Sequence, residues 1–223
     1  MSAVVRQVSF GLLWLSFGIY AFGFAPPEAG NTSELIQDLI AGKWQQINPV
    51  VVALFNLMGV LPAMYAAILF ADGKGQKVPA SWFVLLSFGI GAFGLLPYFA
   101  LRQPNPTFDG TKNFWIRFWD SRLTGLGLTA IAITLLIYGL KTGDFGANWA
   151  DYVVQFRTNR FIHVMTLDFG LLCLLFSWIL ADDMRRRGLT ESGIFQAVTL
   201  VPLLGVLVYL CVRPNLPEPL TQS

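Results

Sequence analysis

Charge is what this sequence has least of. Only 13% of its 223 residues are Asp, Glu, Lys or Arg, about half of the ~25% usual in a soluble domain. The net charge of +2 excludes nucleic acid as a partner, because phosphate binding needs a dense basic surface. Histidine occurs once, as His163, so two histidines of one chain cannot hold a b-type haem. The two cysteines, Cys173 and Cys211, fall inside apolar segments and read as small packing residues rather than a disulfide. HExxH, GxSxG, a Walker loop and a CxxC pair are all absent. There is no DxxxD run to hold magnesium for a prenyl diphosphate, and Asp182-Asp183 alone is insufficient. Simple hydrolase, ATPase and prenyltransferase readings are therefore disfavoured, and the balance is against an enzyme.

Apolar length is what the sequence has in excess. Hydrophobic residues make up 55% of the chain, and the mean hydropathy is +0.58. Six apolar stretches run over residues 5–25, 47–71, 78–101, 122–140, 162–181 and 194–212. A transmembrane helix needs about 20 mostly apolar residues to cross ~30 Å of hydrocarbon. The expected fold is all-α: one polytopic domain over residues 1–223, with six transmembrane helices in the lipid bilayer. The first stretch is longer than a signal-peptide core and lacks a small-x-small site after it, so it reads as a retained span. Gly11, Gly18 and Ala25 recur every seventh residue of it, a stripe where another helix can approach closely.

Between these stretches the polar segments carry their own signals. Pro26-Pro27 ends the first helix. Asn31-Thr32-Ser33 matches a glycosylation sequon, a tripeptide common by chance. Leu35, Ile36, Leu39 and Ile40 then recur at helical spacing and Trp44 closes the segment, which predicts a short interfacial helix. Residues 144–160 predict a second one, with Trp149, Tyr152, Val153 and Phe156 as its apolar face. Asn113 to Arg122 mixes tryptophan with arginine, as headgroup-level segments do.

The second half follows the order of the first. Asp72 and Arg102, followed by Pro104-Asn105, resemble Asp182 and Arg213, followed by Pro214-Asn215. The order points to two three-helix units, 5–102 and 122–213, joined by a loop at 103–121. Three crossings per unit would invert the second copy, giving a 3+3 inverted repeat with sites at the repeat interface. Positive charges divide about evenly between the two sides, so they set no orientation. Arg185-Arg186-Arg187 alone favours a cytoplasmic position for its own loop.

Three polar residues inside the apolar stretches are the candidate cofactor-binding residues. His163 opens the fifth stretch and reads either as an interfacial anchor or as a ligand to a chlorophyll magnesium or a haem iron. Asp168 lies inside the same stretch, where a carboxylate costs about 2.5–3.5 kcal/mol and is usually paired, protonated or functional. Asn56 is the polar residue of the second stretch, above Gly59 and Pro62, and either bridges helices or faces a ligand.

Several strings carry a resemblance. They are Phe24-Ala25-Pro26-Pro27, Asn48-Pro49 with Phe55-Asn56-Leu57-Met58-Gly59, Pro104-Asn105-Pro106, Asp120-Ser121-Arg122, and Phe161 through Phe169. Together they resemble an uncharacterised integral membrane protein family of cyanobacteria and plastids. That resemblance implies a thylakoid or plasma membrane and photosystem or other membrane-complex subunits as partners. It carries over no catalytic residue. The leading expectation is an auxiliary or assembly protein of photosynthetic membranes that touches chlorophyll or carotenoid. A small secondary transporter with a midplane polar site is the alternative, and an isoprenoid-modifying membrane enzyme is the third.

Overall fold

The computed structural model describes residues 2–108, 111–189 and 192–217. These residues form eleven α-helices and no strand. The helix starts follow from local chemistry. Asn48 accepts a hydrogen bond from the Val50 amide at 2.8 Å, with Pro49 in the first turn, and opens α3 (Pro49–Asp72). Asn159 caps α9 (Arg160–Arg186) in the same way, through the Ile162 amide at 3.3 Å. Ser121 caps α7 (Arg122–Lys141). Together with α1 (Ala3–Ile19), continued by a π-helical turn to Phe24, α3, α7 and α9 are the four helices long and apolar enough to cross a membrane.

The other two long apolar stretches do not make spans. Residues 80–101 are two helices, α4 (Ala80–Ile90) and α5 (Ala92–Leu101), broken at Gly91. Gly91 sits at φ +53°, ψ −131°, a conformation that side chains resist. Gly94 then packs directly on the backbone of Leu86 and Ser87. The two helices therefore fold back on each other. α4 starts beside Gly73 at the end of α3, and α5 returns to that same end, where Arg102 meets Asp72. Each arm is about 16 Å long at 1.5 Å per residue, half the ~30 Å of a bilayer core. The stretch 194–212 divides likewise into α10 (Ser192–Leu200) and α11 (Leu204–Val212). Its turn contains Leu203 at φ +67°, and Gly205 lies tight against the Val198 carbonyl. Six spans were expected because a 20-residue apolar run has the same hydropathy whether it crosses or turns back.

The core is built around α3, whose buried residues cover every face. It packs on α4, α7 and α9. α3 and α9 run in the same direction. Val51 clusters with Ile162 at one end, Tyr65 stacks on Phe176 in the middle at 3.9 Å and 9°, and Asp72 meets Arg186 at the other end, 2.9 Å away. The inverted arrangement does not hold. In an inverted repeat the second and fifth stretches, now α3 and α9, would run in opposite directions.

The two segments expected to be interfacial are helical, as α2 (Thr32–Ile40) and α8 (Phe145–Thr158). Both lie at the end where α3 and α9 begin. Asn48 donates to the Asn148 carbonyl of α8, and Leu35 and Tyr152 pack around Val51 and Ile162. A further short helix, α6 (Phe114–Asp120), caps the opposite end and packs on α3. Both cysteines are free.

Candidate functional site

The site is built where the first hairpin turns. Breaking the helix at Gly91 frees the amide of Ala92, the first residue of α5. In an unbroken helix that N–H would donate to the carbonyl of Phe88. Here it donates to Asp168 Oδ1 of α9 at 2.7 Å. The carboxylate thereby sits at a helix N-terminus, where backbone amides and the helix dipole favour negative charge. Gly91 is required twice: its backbone conformation resists side chains, and an added Cβ would overlap the Asp168 carboxylate.

A cavity of about 590 Å³ lies over this turn. Asn56 of α3, Ser87 to Gly91 at the end of α4, and Asp168 of α9 line its inner part. Phe22, Phe55, Phe88, Phe93 and Phe161 supply an aromatic wall. Glu28, Thr32 and Arg160 lie at its outer part, at the α2–α8 end of the bundle. Arg160 is held there by the chain that follows α1: its Nε donates to the Pro26 carbonyl at 2.9 Å and its amide to Pro27 at 3.2 Å. Arg160 and Asp168 are eight residue steps apart on α9, about 12 Å along its axis.

Asn56 and Asp168 therefore share one cavity, and His163 lies outside it. The Phe156 carbonyl can only accept, so His163 Nδ1 carries the proton and donates to it at 2.7 Å. Nε2 then accepts from the Tyr20 hydroxyl at 2.8 Å. With both ring nitrogens engaged, metal ligation would require displacing Tyr20. Asn56 is half-buried, and its Nδ2 donates one hydrogen to the Val52 carbonyl at 2.8 Å, leaving the second N–H and Oδ1 for a ligand.

Beyond the cavity, the opposite end of the bundle is closed by a buried charge network. Asp72 accepts from the Tyr98 hydroxyl at 2.8 Å and from Arg102, whose Nη2 lies 2.6 Å away. Asp183 accepts from the Tyr209 hydroxyl at 2.8 Å and from Arg213 at 3.2 Å. The spacings are identical in both sets, 26 residues from Asp to Tyr and 30 from Asp to Arg. The carboxylate that matches Asp72 is thus Asp183, and its neighbour Asp182 bonds Arg102 across the two sets at 2.6 Å. Arg186 joins Asp72 to Asp183, and Arg187 joins Asp183 to Asp120. Burial alone would lower the pKa of the Arg102 guanidinium; bonds and charge from Asp72 and then Asp182 outweigh it and hold the group above its ordinary value. Arg187 is held up in the same way, by Asp183 and Asp120 against burial.

The sequence pairs Asp72 with Asp182 and Arg102 with Arg213, whereas the bonded sets with equal spacings use Asp183. Tyr98, Tyr209 and the turn at Gly91 carry no such signal on first reading. The tyrosines were findable, since the Asp–Tyr–Arg spacings agree only when Asp183 is used. No family model matches this chain, and no curated protein or solved structure is similar to it.

Proposed function

We propose that this chain is a small secondary transporter of an integral membrane type, built from a duplicated unit whose two copies share one orientation. Each copy contributes two spanning helices and one re-entrant hairpin: α1, α3 and α4–α5 in the first, α7, α9 and α10–α11 in the second. The duplication is supported by one constant offset of 111 residues. It relates Asn48 to Asn159, Tyr65 to Phe176, Asp72 to Asp183, Tyr98 to Tyr209 and Arg102 to Arg213.

The observation that carries the transport reading is a cavity that reaches a broken helix and a buried carboxylate. It extends about 12 Å along α9 from Arg160 to Asp168, and the opposite end of the bundle is held by ion pairs. Irregular backbone at membrane depth is tolerated where it lines a cavity, and half-helix ends at the midplane are the usual substrate and ion sites of transporters. In this reading the charge network is the closed gate, and its rearrangement opens the other side.

The test is flux into proteoliposomes loaded with a pH-sensitive dye and challenged with gradients of small amines, carboxylic acids and neutral solutes. Protein-dependent flux of one class, abolished in Asp168→Asn, is the expected result. A folded protein that moves none of them, with Asn56→Cys open to an impermeant maleimide from one side under all conditions, would overturn it.

A second reading has one specific observation in its favour. The five aromatic rings of the cavity wall suit a flat apolar ligand, as an auxiliary protein of photosynthetic membranes touching carotenoid or chlorophyll would need. Pigment retained through gentle purification and lost in Phe55→Ala would favour that reading over transport.

A further inference from the structure

Asp168 uses only half of its carboxylate. It is 6% exposed. Oδ1 accepts the Ala92 amide, and no described residue donates to Oδ2. With no protein donor, this oxygen depends on what enters the cavity, and a positive charge there is favoured by the largely buried carboxylate. Asp168 also lines the cavity, so a neutralising partner can reach it.

Several neutral oxygens surround this carboxylate. α4 ends in the cavity at Ile90, and its last carbonyls carry the negative end of the helix dipole. The Phe88 carbonyl has lost its helical donor, because the Ala92 N–H is turned to Asp168. Asn56 donates one Nδ2 hydrogen to Val52, and its Oδ1 is available to accept or to coordinate. The Ser87 hydroxyl spends its proton on the Val84 carbonyl and keeps its lone pairs. An anion would meet the Asp168 carboxylate itself, which already occupies the N-terminus of α5, and the guanidinium-bearing Arg160 lies about 12 Å away along α9.

We propose that Asp168, the end of α4 and Asn56 form a binding site for a small monovalent cation, an alkali metal ion or the ammonium group of a small amine. The proposal rests on the same cavity as the transport reading and names what that cavity holds. One carboxylate with neutral oxygens matches a single positive charge. Among the described residues no three His, Cys, Asp or Glu converge to hold a metal ion, whereas a divalent ion is ordinarily held by several carboxylates. Hard oxygen donors also exclude the softer transition metals.

The test uses the purified full chain in detergent, melted at constant ionic strength in sodium, potassium, ammonium, methylammonium or N-methylglucamine chloride, the last as a bulky reference. One small cation should raise Tm saturably, and Asp168→Asn should lose the response. Carbodiimide modification of wild-type Asp168, read by peptide mass spectrometry, should slow about tenfold at saturation with that cation. The second measurement needs no variant, so it stands even if Asp168→Asn fails to fold. An alkali ion that protects identifies an ion site, and protection by the amines alone identifies an amine site. Equal melting and equal labelling in all five salts would overturn the proposal. Saturable binding without flux upholds this site and removes the transport reading; flux unaffected by any of the small cations removes the site and leaves transport standing.

Discussion

The two hairpins are framed alike and differ at their tips. Both return to an aspartate at the end of a long helix, with a tyrosine and an arginine at matching positions. At the tips the likeness ends. The first turn is Gly91 beneath a cavity, with the Ala92 amide on a carboxylate. The second contains Leu203, 5% exposed and packed into the core. The residue of α3 that matches Asp168 at the common offset is Leu57, also buried in the core. What the halves share holds the bundle end together, and what they do not share is where binding chemistry is to be sought.

The shared part is the most costly to break. Asp183 is fully buried and bonds Arg186, Arg187, Arg213 and Tyr209. Asp183→Ala leaves three buried guanidiniums without it, and should cost about 3–5 kcal/mol. Denaturant unfolding in detergent, or loss of folded protein on expression, checks this. Asp72→Ala should cost a similar amount. Asp182→Asn, with one ion pair to Arg102 and a longer bond from the Asn105 amide, should cost about 1 kcal/mol. Equal losses at 182 and 183 would mean that Asp183 is not the residue matching Asp72.

The tips come next. Gly91→Ala forces a side chain into a backbone conformation that resists it and against Asp168, and should cost about 2–3 kcal/mol. Gly89→Ala, two residues away with open space around it, should be neutral or stabilise α4 by about 0.5–1 kcal/mol. At the second tip, Leu203→Gly removes a strain of about 1–2 kcal/mol but loses about 1.5–3 kcal/mol of apolar burial. Its net cost should therefore fall below that of Gly91→Ala. Melting curves of the three variants give the order directly, and a reversed order would remove the special status of the first turn.

How far the sequence showed all this depended on which physical signal each feature uses. The four long apolar helices, the helices at 32–40 and 145–158 and the Asn48-Pro49 start of α3 were legible, because hydropathy, helical periodicity and Asn capping act locally. The hairpins were not, because apolar content is blind to direction. Only Gly91 and the Pro202-Leu203 break tell a returning chain from a crossing one, and one glycine among 21 in the chain carries little weight. Asp168 and Asn56 stood out as polar residues in apolar runs, and the fold brings both into one cavity. Ser87 and the Ala92 amide did not stand out, since a backbone donor is invisible until the helix around it breaks.

The smallest effects sharpen the comparison within α9, between Asp168 in the cavity and His163 outside it. Asp168→Asn keeps an oxygen to accept the Ala92 amide and should change stability by no more than about 1 kcal/mol, while removing the response to small cations. His163→Phe does the reverse. It loses the bonds to Tyr20 and Phe156 and should cost about 1–2 kcal/mol, with cation binding intact. Tyr20→Phe removes one of those bonds and should cost about 1 kcal/mol. The double variant should be no worse than His163→Phe alone, because the Tyr20–His163 bond is lost only once. A pigment ligand would behave differently: absorbance would vanish with His163→Phe and survive, or rise, in Tyr20→Phe, where Nε2 is released. Coupled melting losses without any spectral change would make His163 a tie between α1 and α9 that holds one wall of the cavity in place.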